Sequence, residues 1–148
     1  MKVFKFGGAS VKDAAGVKNL SSIVHQQHGQ LIVVVSAMGK TTNLLETLCN
    51  AYFHQDPKAT AIMKELKDFH LNIVNSLFPL NDPVYKHLEE LFTNLENILA
   101  SESSLCYDYE YDRIICFGEL ISTTIISDYL KMEGIENQFI DIRKFLKT

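Results

Sequence analysis

Three short stretches of the sequence carry residue types that could do chemistry. The first is Lys5-Phe6-Gly7-Gly8-Ala9-Ser10. Adjacent glycines let a backbone turn sharply and bring bare N–H groups against a phosphate. A helix opening after them would add the partial positive charge of its N-terminus, and Lys5 can neutralise a transferring phosphoryl group. Read without ligand, the same residues are a tight strand-to-helix turn beside a solvated lysine.

The second stretch is Ser36-Ala37-Met38-Gly39-Lys40-Thr41-Thr42-Asn43. Gly39-Lys40-Thr41 imitates the close of a P-loop, but that motif needs a glycine where Val34 stands. What remains is a small-residue loop with hydroxyls at Ser36, Thr41 and Thr42, placed where parallel sheets bind ligands. Capping of the next helix by Thr41 or Thr42 is the plainer role for any one hydroxyl. The third stretch is Phe117-Gly118-Glu119-Leu120-Ile121-Ser122, followed by Thr123. Glu119 sits among apolar residues, and a buried carboxylate there needs a partner such as a substrate amino group. The segment alone favours a glutamate on the wet side of a helix.

These residues need elements to position them. Residues 3–6 form a short extended run ending at the glycine pair. Residues 11–28 have helical apolar spacing, with Ser10 as expected N-cap and Gly29 as the stop. Leu31-Ile32-Val33-Val34-Val35 is the strongest strand signal, uniformly apolar and mostly β-branched, and predicts a parallel strand covered on both faces. Helices are expected from near Thr42 to Phe53, over 57–77 and over 83–99, the last with Asp82 as N-cap and Pro83 at the first position. The apolar stripe Val84, Leu88, Leu91, Phe92, Leu95, Ile98 and Leu99 reads as packing surface. After a polar connector at 101–104, a helical stretch over 109–131 breaks around Gly118 and closes at Gly134. Residues 138–142 are expected to form a third strand. The order βαβ, helical block, αβ predicts an α/β sandwich with a mainly parallel sheet and right-handed crossovers.

Composition sets the outer bounds. The 148 residues suit one compact unit, and 47% hydrophobic with 22% charged residues is a globular balance. No apolar run approaches the roughly 18 residues of a membrane span, and the start shows no signal-peptide core. A net charge of −4 gives no general attraction for nucleic acid or anionic membrane, so neither is an expected partner. Cys49, Cys106 and Cys116 are widely spaced, which argues against a disulfide framework and a CxxC metal site and suits a reducing cytoplasm. His25 and His28 lie at a helix end without further ligands, and His54, His70 and His87 are isolated and expected to be exposed.

Taken together, the blocks resemble the aspartate kinases. Lys5-Phe6-Gly7-Gly8-Ala9-Ser10-Val11 is similar to that family's opening, with Ala9 where Thr or Ser is usual. The segment 35–43, Gly118-Glu119-Leu120-Ile121-Ser122 and Asp141-Ile142-Arg143 resemble its later blocks, in order and from end to end of the chain. The resemblance implies the amino-acid-kinase fold, a three-layer α/β sandwich of which residues 1–148 would be the N-terminal, phosphoacceptor lobe. It implies transfer of the ATP γ-phosphoryl group to the β-carboxylate of L-aspartate, the first step toward lysine, threonine and methionine. By the same resemblance Lys5 stabilises the transferred phosphoryl group. Gly7, Gly8, Ser10, Ser36, Ala37 and Gly39 belong to the phosphate- and nucleotide-binding backbone, and Thr42 and Glu119 hold aspartate.

The acceptor carboxylate, with a reference pKa of about 4, is already ionised at neutral pH and needs no general base, only positioning and charge neutralisation. Family catalytic domains run on past the residue matching Thr148 and there supply the nucleotide pocket. This sequence is therefore expected to be inactive alone, with ATP and Mg²⁺ engaged through the missing half and a homo-oligomer formed at full length. A glutamate-type kinase of the same fold is the nearest alternative. A non-catalytic module dimerising through the stripe at 84–99 is the alternative of a different class.

Overall fold

The computed structural model describes residues 1–145, so the end of the expected unit, 146–148, lies outside the described residues. Strand β1 (Lys2–Phe6) and strand β2 (Leu31–Val35) pair in parallel, with Val3 opposite Ile32, Phe4 opposite Val33 and Lys5 opposite Val34. Helix α1 (Ala14–His25) connects them, and five further helices follow: α2 (Thr41–Phe53), α3 (Lys58–Leu77), α4 (Pro83–Ala100), α5 (Tyr107–Ile115) and α6 (Phe117–Met132). Helix α2 packs against α3 and α5, α4 packs against α6, and α6 also touches β2. The α/β class and the parallel pairing agree with the periodicity.

Several local expectations are corrected. Strand β2 is not covered on both faces: Leu31, Val33 and Val35 pack on the core, whereas Ile32 and Val34 are each 45% exposed and Val3 is 60% exposed. The register explains the split, since paired residues in a parallel ladder share a face. The third strand does not form. Residues 138–141 are irregular and lead into a single 3₁₀ turn, Ile142–Lys144. The Asp141 carboxylate accepts from the Arg143 amide at 3.2 Å, a local bond that competes with extended structure. Phe139, Ile140 and Ile142 stay exposed, so their alternation serves no sheet face among the described residues.

Helix α1 begins later than its apolar pattern suggests. Asp13, not Ser10, is the N-cap, and its carboxylate accepts from the Gly16 amide at 2.8 Å. The helical stretch near the C-terminus divides at Cys116 into α5 and α6, and Gly118 lies inside the first turn of α6. Gly134 does end the stretch, with φ of +80°, and Asp82 caps α4 as read from sequence. The stripe on α4 is internal: Val84, Leu88, Phe92 and Leu95 are buried in the common core and Leu91, Ile98 and Leu99 pack against it. It is therefore not available as a dimer interface.

Two buried polar side chains escaped the sequence reading. Glu110 is fully buried on α5, where its carboxylate accepts from the Ser104 amide at 2.7 Å and pairs with Arg113 at 3.2 Å. It ties the 101–106 connector to the helix. His70, expected on the surface, is fully buried on α3. Its spacing from Met63, Leu66, Ile73 and Val74 puts it on the buried face of α3. Burial pushes its pKa from 6.5 down to about 4, only partly offset by the hydrogen bond to the Leu66 carbonyl. Its packed neighbours are the Thr41 hydroxyl and the rings of Phe69 and Phe92, none of them charged.

A histidine whose folded pKa lies below its unfolded value binds fewer protons when folded. Its contribution to stability is then complete above about pH 6.5 and is lost as pH falls toward 4. Denaturant titrations over that window should show stability falling by up to about 1.4 kcal/mol per pH unit from this group. The His70→Gln chain should lack this component of the slope.

Candidate functional site

The site is the junction of three segments at the C-terminal ends of the two strands. The chain leaves β1 through the turn 7–10, closed by the Ser10 amide donating to the Gly7 carbonyl at 2.9 Å. It leaves β2 through 36–40, where the Ser36 amide donates to the Phe6 carbonyl at 3.1 Å and the Gly39 amide donates to the Gly8 carbonyl at 3.0 Å. The two loops therefore continue the pairing of their strands. Gly39 adopts φ of +55°, a left-handed conformation suited to glycine.

The two glycines of the pair do different work. A Cβ on Gly8 would lie 2.6 Å from the Ala37 carbonyl oxygen, so this residue is small because the second loop lies against it. A Cβ on Gly7 would meet nothing within 4 Å. That side of the turn is open, as a backbone must be if a ligand is to approach it. Gly16 stands in the helical run with no local signal of a role, yet a Cβ there would lie 2.4 Å from the Ser10 carbonyl oxygen. It lets the start of α1 press on the turn.

Helix α6 brings the third segment to the same place. The Glu119 carboxylate accepts from the Ala37 amide at 3.4 Å, a long bond, and the Ser122 hydroxyl donates to the Ser36 carbonyl at 2.7 Å. Between them, a Cβ on Gly118 would sit 2.8 Å from the Ala37 side chain. One face of the α6 N-terminus, 118, 119 and 122, is thus fitted to the second loop. Glu119 itself is exposed, as its segment alone indicated, while engaging the loop amide.

Lys5, Gly7, Gly8, Ser10, Ser36, Ala37, Gly39, Thr42 and Glu119 all fall on these three segments or on the strand residue that enters them. Lys5 is exposed and shares the open sheet face with Val3 and Val34. Ser36 and Thr42 are half-buried. Neither Thr41 nor Thr42 caps α2: Lys40 holds the cap position without a side-chain bond, and Thr41, 2% exposed, is hydrogen-bonded to His70 at 3.3 Å. The amides of Ser10 and Gly39 serve the turns themselves.

The Asp141-x-Arg143 segment closes against the base of α6. The Arg143 guanidinium donates to the Asp141 carboxylate at 2.9 and 2.7 Å and reaches the Cys116 sulfur at 3.0 Å. Those bonds hold the Asp141 carboxyl below the usual carboxylate range. The Cys116 thiol is pushed up by burial despite the neighbouring guanidinium.

The three segments meet at the strand ends with the Gly7 side of the first turn open. An open cleft of about 310 Å³ between α4 and α6, lined by His87, Asp128, Lys131 and Phe139 among others, lies apart from these loops. Among the described residues no grouping of three or more His, Cys, Asp or Glu side chains can hold a metal ion. No helix among them is long and apolar enough to cross a membrane.

Loops at the C-terminal ends of parallel strands, backed by a helix N-terminus, lie where open α/β sheets bind their ligands. Residues 1–147 match the amino acid kinase family, and the chain belongs to it. Among characterised relatives it is 31% identical over 139 residues to aspartokinase 2, chloroplastic, of Arabidopsis thaliana, covering 89% of this chain and 25% of that protein. It is 27% identical over 148 residues to lysine-sensitive aspartokinase 3 of Escherichia coli K12, covering 99% and 32%. The crystal structure of E. coli aspartokinase III in complex with aspartate and ADP superposes with a TM-score of 0.84 at 26% identity, covering 97% of this chain and 32% of that one. The chain thus spans at most a third of the length of these relatives.

Proposed function

We propose that this chain is the aspartate- and phosphate-binding part of an aspartate kinase. The reaction is transfer of the ATP γ-phosphoryl group to the β-carboxylate of L-aspartate. The observation that supports this best is the convergence of Gly7-Gly8, 36–42 and Glu119 at one point, each in the block that resembles the aspartate kinases. A bond forms between a carboxylate oxygen and phosphorus as the bond to the departing diphosphate breaks, and no proton has to move. The chain's tasks are then to place the acceptor and to oppose negative charge.

Lys5, on a strand and exposed beside the turn, neutralises the phosphoryl group. The open backbone at Gly7 admits its oxygens, with the loop at Ser36 and Ala37 on the other side. Glu119 faces the substrate ammonium, and the Thr42 hydroxyl donates to a substrate carboxylate. ATP, which that relative's structure holds as ADP, is bound mainly by residues beyond those of this chain. No residue is assigned to Mg²⁺, since the described residues bring together no grouping of three or more His, Cys, Asp or Glu side chains.

The test is an ATP-dependent hydroxamate assay, which traps aspartyl phosphate formed from L-aspartate. The chain by itself should yield no product. Clear turnover would overturn the assignment of nucleotide binding to residues beyond it.

A further inference from the structure

We infer that His70 is a positioning residue for the aspartate site, acting through the Thr41 hydroxyl on the loop that carries Ser36, Gly39 and Thr42. The inference deepens the proposed function and rests on it. The His70 ring is fixed at both nitrogens. Nδ1 lies 2.8 Å from the Leu66 carbonyl, which can only accept, so Nδ1 carries the hydrogen. In the neutral ring Nε2 is then an acceptor, and the Thr41 hydroxyl 3.3 Å away donates to it. Burial keeps the ring neutral far below physiological pH, so this acceptor is constant under working conditions.

The bond sits at a mechanically sensitive place. Thr41 is the first residue of α2, and its cap position is held by Lys40 without any side-chain bond. The usual means of fixing a helix start, a cap from within the helix's own sequence, is missing. The donor is supplied to a side chain 29 residues away instead. Phe69, next to His70, also supports the loop, since its ring edge would lie 3.3 Å from a Cβ on Gly39. Helix α3 therefore backs the loop at two consecutive residues, Phe69 and His70, in addition to the contacts that α6 makes through Glu119 and Ser122. Thr42 follows Thr41 directly, so a rotation of the first turn of α2 moves the hydroxyl assigned to substrate.

The two ring nitrogens can be separated by substitution. His70→Gln puts an amide oxygen near the Nε2 position and can still accept from Thr41. His70→Asn can still donate to the Leu66 carbonyl but falls short of Thr41. Thr41→Val removes the donor with little change of shape. The chain and these variants are compared by L-aspartate dissociation constant and by amide hydrogen exchange at 39–43 without ligand.

His70→Asn and Thr41→Val should each weaken aspartate binding about tenfold, the His70→Asn/Thr41→Val pair no more than either alone, and His70→Gln should recover most of the loss. Unchanged aspartate binding in all variants, with only melting temperatures lowered, would overturn the inference, as would additive losses in the double variant. If the unaltered chain binds no aspartate, the aspartate reading itself fails. The exchange data then decide the positioning role separately: faster exchange at 39–43 in His70→Asn than in His70→Gln supports it, and equal exchange overturns it.

Discussion

Replacing Glu119 by glutamine should weaken L-aspartate binding by roughly 10- to 100-fold, equivalent to about 1.5–3 kcal/mol for a hydrogen bond to a charged group. The substitution is mild for the fold. Glu119 is exposed, and a glutamine oxygen can still accept from the Ala37 amide now 3.4 Å from the carboxylate. Stability should therefore change by no more than about 0.5 kcal/mol. What is lost is the negative charge that opposes the substrate ammonium. Calorimetric titration of both chains with aspartate, alongside their melting curves, separates the two effects. If the glutamine chain binds aspartate as the parent does, Glu119 does not hold the substrate amino group.

Gly8→Ala should damage both the fold and the site. The added methyl would lie 2.6 Å from the Ala37 carbonyl oxygen and 3.2 Å from that of Gly39, and backbone atoms cannot rotate out of the way. Relief requires the two loops to part, which breaks the 3.0 Å bond from the Gly39 amide to the Gly8 carbonyl. Overpacking of this kind costs about 1–3 kcal/mol and the lost bond about 1 more. Aspartate affinity should fall at least tenfold, since Thr42 and Glu119 no longer share one frame. Gly7→Ala is the contrast: its methyl meets nothing, so the melting temperature should hold. Equal destabilisation by the two changes would show that the loops are not packed as described.

The parts of this structure that were legible in the sequence are those where one local signal is decisive. Gly7-Gly8 marks the end of β1, although Gly8 is small to admit the second loop rather than to make the turn, Asp82-Pro83 starts α4, and the apolar run 31–35 makes a strand. The three candidate segments each have a plainer reading by residue type and are joined only by their resemblance to one family, and the structure brings them together in space. What failed depended on distant neighbours. Ile32 and Val34 have the same propensity as Val33, and only the register tells which residues meet helices.

Residues 138–142 have strand composition, but a ladder needs a partner strand and Asp141 instead bonds to Arg143. Thr41 looks like a cap, yet its hydroxyl goes to His70 across the fold. His70 itself did carry a signal. It falls on the same helical stripe as Leu66, Ile73 and Val74, and a histidine at a core position is one whose polar atoms have partners. The small size of Gly118 likewise reflects the Ala37 side chain, 81 positions earlier in the sequence, rather than any break in the helix.

The central claim, that these loops form an aspartate site, is tested most directly by calorimetric titration of the chain with L-aspartate and, separately, with L-glutamate. Saturable binding of L-aspartate at millimolar concentrations, clearly tighter than that of L-glutamate and lost in Glu119→Gln, is the predicted result. No saturable binding of L-aspartate, or binding that does not distinguish it from L-glutamate, would contradict it.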